Sequence, residues 1–294
     1  MNGRRRAVNH VMRVVCLLLA AVAALPLALI VWQVWSAGHG ALSWHLLTHS
    51  KEQTLSIVDG TAEIRFTGGV WHAVTGSLLV VALATAFSAP LGILAGVWLS
   101  ESGTGRVAAW VRGAAEAMAG VPSIVAGIFG YELVVRGLGV GYSAWAAAAA
   151  LALVMLPTVT RATEEGLRTV PRALREGALA LGAPRWLTTL RVVLPNAAGA
   201  VTTGLLLAMA RAAGETAPVL LTSLANRLPP TGPGDKVSTL PTVIYDYIND
   251  PSADLHAQAQ AAALLLIGGV LAVNVLVRVV SAKRAAPRKR VGAH

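Results

Sequence analysis

Six long apolar runs alternate with polar segments along the chain, at residues 14–35, 70–99, 107–135, 141–159, 196–224 and 257–280. A bilayer core of about 30 Å takes about 20 helical residues to cross, and each run meets that need. The pattern predicts an all-α membrane protein with six transmembrane helices and both termini on one side. It divides the chain into an N-terminal tail, first helix and outer loop at 1–69, a transmembrane domain at 70–281, and a basic tail at 282–294.

The runs differ in detail. Arg4, Arg5, Arg6 and Arg13 precede the first, and Ala21-Val22-Ala23 within it mimics a signal-peptide cleavage site. Its length exceeds the ~7–15 residues of a signal core, which favours an uncleaved helix ending at Trp32 and Trp35. Pro90 and Gly92 predict a kink in the second run. Gly120-Val121-Pro122-Ser123 predicts a break in the third, tolerated at membrane depth where it is buried or lines a path. The fourth is dense in Ala and suits close helix packing. In the outer loop, the alternation over 61–67 predicts a strand pair. His39, His45 and His49 sit in that loop without the cysteine or carboxylate pattern of a metal site.

Composition sharpens the class. Of 294 residues 55% are hydrophobic and 13% charged, and the net charge is +10. Mean hydropathy is +0.63. A charge of that size would fit nucleic acid, but the basic residues gather at the ends of apolar runs, which is a topology signal. One face collects the four N-terminal arginines, Arg106 and Arg112, six arginines from Arg161 to Arg191, and six basic residues from Arg278 onward. Those are eighteen of the 24; the opposite face has five, and Arg211 lies inside a span. The positive-inside rule then places both termini in the cytoplasm. Cys16 is the only cysteine, so no intramolecular disulfide can form.

The polar stretch 176–195 stands between two apolar runs. A helix holding Glu176, Gly177 and Ala178 is predicted to stop at Gly182, with Pro184 close behind. An amphipathic piece comes next, with Trp186, Leu187, Leu190 and Val193 at helical spacing. Pro195, after Leu194, fits the first turn of the next helix. This elbow, beginning at Thr160, suits docking into a groove of a partner. In the fifth run, Arg211 and Glu215 stand four apart and are able to pair on one helix face. A charge at mid-membrane faces the bundle interior or a pathway. Either a packing role or a pathway role fits the pair. Pro218 makes that helix locally irregular. No P-loop is present, since Gly232-Pro233-Gly234-Asp235-Lys236 lacks the spacing.

Glu176, Gly177, Ala178, Gly182, Val192, Leu194 and Pro195 resemble the EAA signature of ATP-binding-cassette importer permeases. That signature is Glu-Ala-Ala, three residues, Gly, nine residues, Ile, one residue, Leu-Pro. Residues 120–127, 156–164 and 211–218 resemble motifs of the phosphate-specific (Pst) importer permeases, with the form of the A-type subunit. The resemblance runs over about 67–283. It implies a type I importer permease fold whose cytoplasmic elbow is a coupling helix inserted in an ATPase. It implies phosphate as substrate, with Arg161 and Arg211 on its path and Glu215 beside Arg211. The implied partners are a C-type permease, an ATPase dimer that carries ATP and Mg, and an extracytoplasmic phosphate-binding protein. The chain itself then binds no cofactor and has no catalytic site. Sulfate, molybdate or an amino acid is the alternative substrate; a stand-alone channel or secondary transporter is the alternative class. The elbow disfavours the latter, as does the lack of inverted repeats.

Overall fold

A computed structural model describes residues 3–58 and 61–285. The first helix, α1 (Gly3–Gly38), runs through Pro26 and carries an apolar window with no buried residue. It leans on the last helix, α12 (Ala253–Ala285). Between them come α3 (Trp71–Glu101), α4 (Gly105–Gly120), α5 (Ser123–Gly130), α6 (Ala144–Arg168), α7 (Arg172–Ala180), α8 (Arg185–Thr188), α9 (Leu194–Ala213), α10 (Ala217–Thr222) and α11 (Leu240–Ile248). A short α2 (Trp44–Thr48) and a hairpin of β1 (Lys51–Val58) with β2 (Thr61–Gly68) fill the first outer loop. The alternating stretch 61–67 thus pairs as expected, and the domain is not purely helical.

The middle of the molecule is α6. Its alanines have no bulk to hold neighbours off, so α3, α9, α5 and α10 all pack on it. Glycines on those neighbours make the closest approaches. A Cβ at Gly92 would stand 2.8 Å from the Val159 side chain, and one at Gly96 would stand 2.6 Å from the Thr160 carbonyl oxygen. On the other side, Gly204 of α9 meets Ala162. Val80, Ala84, Leu151, Met155, Ala208 and Val219 close the core around these contacts.

Among the described residues, five helices are long and apolar enough to cross a membrane, and one bent pair taken as a single span makes the six that the apolar runs predict. That pair is the third run, which turns by 104° between α4 and α5. Pro122 supplies no N–H and disfavours helix at Val121, so the chain turns where the sequence places the break. The second run forms one helix that contains Pro90. The fourth helix continues past Thr160 to Arg168, so Arg161 and Arg168 belong to α6 and not to the elbow. The fifth run divides at residues 214–216 into α9 and α10.

At the end remote from the elbow, Val70, Ala73, Val243, Tyr247, Leu255 and Ala259 form a second core. The Ser77 hydroxyl accepts from Leu240 N–H at 2.8 Å. The Lys51 ammonium lies 4.6 Å from the Tyr247 ring centre. Burial pulls the Lys51 ammonium below its ordinary range, reinforced by Arg227, and pushes the Asp246 carboxyl up. His45 and His49 stack on each other rather than converge on a common point. Gly38 packs on the Gln260 backbone. With α1 ending and α12 starting there, both terminal helices run toward the elbow end. The basic tail expected at 282–294 lies outside the described residues from 286 onward.

The α3–α6 seam tests this packing. Gly96→Leu should destabilise by about 1–3 kcal/mol through overpacking, and lower membrane abundance. Gly199→Leu, on an α9 position with open space around it, should be neutral. Thermal unfolding in detergent reads both; equal stability of the two variants would refute the seam.

Candidate functional site

Two features stand out: an exposed elbow and a largely apolar cavity beside α6 that holds one arginine. In the elbow, α7 ends at Gly182 with φ +83°, the left-handed region that favours glycine. A side chain there has nothing within 4 Å to clash with, so backbone conformation and not crowding is the constraint. The helix thus stops where the glycine and proline predict.

Beyond Pro184 the chain departs from the expected second helix. The segment from Arg185 runs unbroken into α9, through a wide turn over residues 189–193 where Leu194 N–H bonds to the Thr189 carbonyl, five residues back. Pro195 has no N–H to give, and a widened turn accommodates the missing bond. Pro195 does sit in the first turn of α9. Of the apolar stripe, Val193 is buried against Leu167, Val170 and Ala197, while Trp186 and Leu190 stay exposed. Glu176 and Gly177 are exposed, Ala178, Val192 and Leu194 half-buried, and Leu181 is 90% exposed. A cavity of about 760 Å³ lies between this elbow and the end of α3, lined by Trp98, Leu179, Trp186 and Leu190 among others.

Two arginines tie the elbow end together crosswise. Arg175 on α7 grips Glu101 of α3 with Nη2–Oε1 at 2.9 Å and Nε–Oε2 at 3.3 Å. Its other donors reach the Leu167 and Val170 carbonyls at the end of α6, at 2.8 and 2.6 Å. Arg112 on α4 does the converse. It donates to Glu164 of α6 at 2.7 Å and to the Leu99 and Gly103 carbonyls at the end of α3. Arg168 also donates to Glu164, whose side chain is 8% exposed. Each guanidinium therefore satisfies carbonyls left over at one helix end and a carboxylate on the other helix.

A cavity of about 420 Å³ lies at the α4–α5 bend. Met118, Val121, Phe129 and Val154 line it, and Arg211 supplies its charge. Arg211 occupies the last turn of α9, with Nε 3.5 Å from Glu215 Oε1. Glu215 is not on the same helix, as the spacing had implied; it lies in the break after Gly214, 17% exposed against 51% for Arg211. Arg161 is not beside Arg211. It stands two turns beyond Val154 on α6 and pairs across to Glu116 of α4 at 2.9 Å.

Sequence reading missed Glu116, Glu101, Arg112 and the role of Arg175, because their partners lie far along the chain. For Glu116 and Arg112 the one local signal was charge inside an otherwise apolar run; Glu101 and Arg175 lie in polar stretches and gave none. Arg175→Gln should loosen the elbow. Losing hydrogen bonds to a charged group costs about 1.5–3 kcal/mol, and a spin label placed at Leu181 should report greater motion. Unchanged label mobility together with unchanged melting would refute the clamp.

Comparisons with known proteins add to this geometry. Residues 88–286 match the family described as binding-protein-dependent transport system inner membrane component. The phosphate transport system permease protein PstA 1 of Mycobacterium tuberculosis (strain CDC 1551 / Oshkosh) is 38% identical over 285 residues, covering 96% of this chain and 92% of its own. The PstA permease of Yersinia pestis is 41% identical over 218 residues, 74% of each chain. Among solved structures, an inward-facing MetNI methionine transporter superposes with TM-score 0.56 at 16% identity, over 73% of this chain and 94% of its own. That likeness is one of fold. With its elbow, bent third run and near-full-length likeness to these permeases, the chain belongs to the binding-protein-dependent transport system inner membrane component family, on its PstA branch.

Proposed function

We propose that this chain is the permease subunit of an ATP-driven importer of inorganic phosphate. The observation that carries the reading is near-full-length likeness to permeases named for phosphate transport. The geometry supports it through Arg211, which puts a permanent positive charge on an otherwise apolar cavity. Phosphate is an anion with several acceptor oxygens, and guanidinium offers a bidentate fork to them. Glu215 offsets part of that charge, which lowers the barrier to an anion without trapping it.

The elbow is the dock for a separate ATPase chain, which holds the ATP and its Mg. A short helix with Leu181 nearly free in solvent, stopped by a left-handed glycine and braced by Arg175, fits insertion into a cleft. The chain pairs with a homologous C-type permease and receives substrate from an extracytoplasmic phosphate-binding protein. The basic asymmetry supports cytoplasmic termini and a cytoplasmic elbow in a multi-pass inner membrane protein. The complex works as one machine whose hydrolysis occurs off this chain.

Gly182→Val should destabilise the left-handed turn by about 1–2 kcal/mol. It should reduce co-purification with the ATPase while membrane insertion stays normal. A cysteine placed at Leu181 should be labelled by an impermeant thiol reagent only after the cytoplasmic side is opened. Wild-type ATPase capture in the variant, or labelling from outside intact cells, would refute this assignment.

Uptake of radiolabelled phosphate by the reconstituted transporter tests the path. Arg211→Gln should cut uptake about tenfold or more, the scale of about 1.4 kcal/mol and above lost with a charged hydrogen bond. The Arg211→Gln/Glu215→Gln double variant separates two roles. A packing pair would regain function once both charges are gone. A path arginine would not, because no guanidinium remains for the oxygens. Normal uptake by the double variant at normal abundance would remove Arg211 from anion handling.

A further inference from the structure

We propose that Glu116 is the counter-ion that lets Arg161 pass an anion onward without holding it. The inference rests on reading the chain as an anion permease, and it concerns a carboxylate to which that reading assigns nothing.

The pair is placed for this work. Glu116 lies one turn before Ala119 on α4, and Arg161 two turns beyond Val154 on α6; Ala119 and Val154 both line the cavity that Arg211 charges. The Arg161 Nη2–Glu116 Oε1 contact at 2.9 Å therefore lies beside the path, toward the elbow end. The other carboxylates of this region are committed or turned away. Glu164 already takes Arg112 and Arg168. Glu165, four residues on along α6, is exposed, and the Arg161 guanidinium turns across to α4 instead.

Burial argues against a purely structural pair. Glu116 is 68% exposed and Arg161 42% within this chain, so its own helices do not pack the pair in place. The packing of α4 on α6 already has the Arg112–Glu164 bridge, which is far better shielded. An open pair is useful for exchange. Guanidinium stays charged and presents a fixed fork of donors, so alone beside the path it would retain an oxyanion. A carboxylate on a flexible stem that this chain leaves uncovered competes for the same donors. It yields when a phosphate oxygen arrives and returns as the anion leaves, which resets the site. The same balance holds at Arg211, where Glu215 lies 3.5 Å away. Conduction requires binding sites that are occupied and released in turn, not filled and kept.

The test uses the complete transporter, with its ATPase, partner permease and binding protein, reconstituted in vesicles. Radiolabelled phosphate uptake is measured across substrate concentrations for wild type, Glu116→Gln, Glu116→Asp and the Glu116→Gln/Arg161→Gln double variant. Glu116→Gln should lower the maximal rate several-fold, with the half-saturating concentration unchanged or lower. Glu116→Asp, which keeps the charge, should restore most of the rate. The double variant should stay slow. A wild-type maximal rate in Glu116→Gln would overturn the proposal. So would recovery of assembly or rate in the double variant, since that marks a structural pair. Wild-type uptake of another oxyanion in place of phosphate would overturn the phosphate reading alone, and the variant series is then read with that anion. Uptake confined to an uncharged or zwitterionic solute would overturn both.

Discussion

Two arginines, crossed between two helix ends, hold the elbow end of this molecule in register. Every helix leaves carbonyls without partners in its last turn. At the ends of α3 and α6, Arg112 and Arg175 donate reciprocally to carbonyls of these last turns and of the residues just beyond them. Each also binds a carboxylate on the opposite helix, Glu164 and Glu101. A cation at a helix C-terminus meets the negative end of the dipole, so position and charge agree. The contribution is greatest at Glu164, which is nearly buried and would be left as a costly charge without its arginines. Because Arg175 is itself on α7, the elbow cannot tilt without disturbing the ends of both central helices. Force applied at Leu181 can therefore reach α3 through the Arg175 side chain, and α6 through Arg175 together with the connecting backbone and the Val193 contacts.

The crossed bridge is possible only because the seam is tight. Gly92 and Gly96 let α3 approach the α6 backbone, and Gly204 does the same for α9. In lipid the hydrophobic effect gives no preference for helix against helix over helix against acyl chain, so close contact and polar bonds must supply it. The alanine density of α6 is therefore as much a requirement as the ion pairs. The short pieces also pack closely: a Cβ at Gly127 of α5 would stand 2.9 Å from the Pro218 Cα of α10.

The residues that were legible in sequence are those whose constraint is local. Gly182 announces a left-handed turn because a helix, a glycine and a proline come directly one after another. Pro122 announces a break because ring and missing N–H act on its immediate neighbours. The 61–67 alternation announces a strand for the same reason. The features that stayed hidden are of two kinds. Long-range pairs such as Arg175–Glu101 or Arg161–Glu116 join residues 74 and 45 apart, and no periodicity encodes that distance. Local competition is the other kind. Arg211 and Glu215 have helical spacing, but Gly214 and Pro218 end the helix between them; the pair forms anyway, across the end of a helix. The second elbow helix merges with α9 for a similar reason, since a widened turn before Pro195 is cheaper than a full stop.

That merged helix bears on how charge is distributed along the path. Arg211 ends α9, where the carbonyl dipoles point at it with partial negative charge. Glu215 adds a second offset at 3.5 Å. Arg161 lies inside a continuous helix, where no terminus helps, and its close offset among the described residues is Glu116. The two arginines thus reach the same compromise by different means. An apolar cavity lined by an unbalanced guanidinium would be a binding site, because low dielectric strengthens the attraction and nothing competes for the donors. One lined by a fully cancelled pair would be a barrier, because the anion would meet no net attraction on entering. On the anion-path reading proposed above, partial cancellation at both positions leaves an attraction shallow enough to escape, and it requires carboxylates that can move. The exposure of Glu116 and the position of Glu215 in a helix break both leave that freedom.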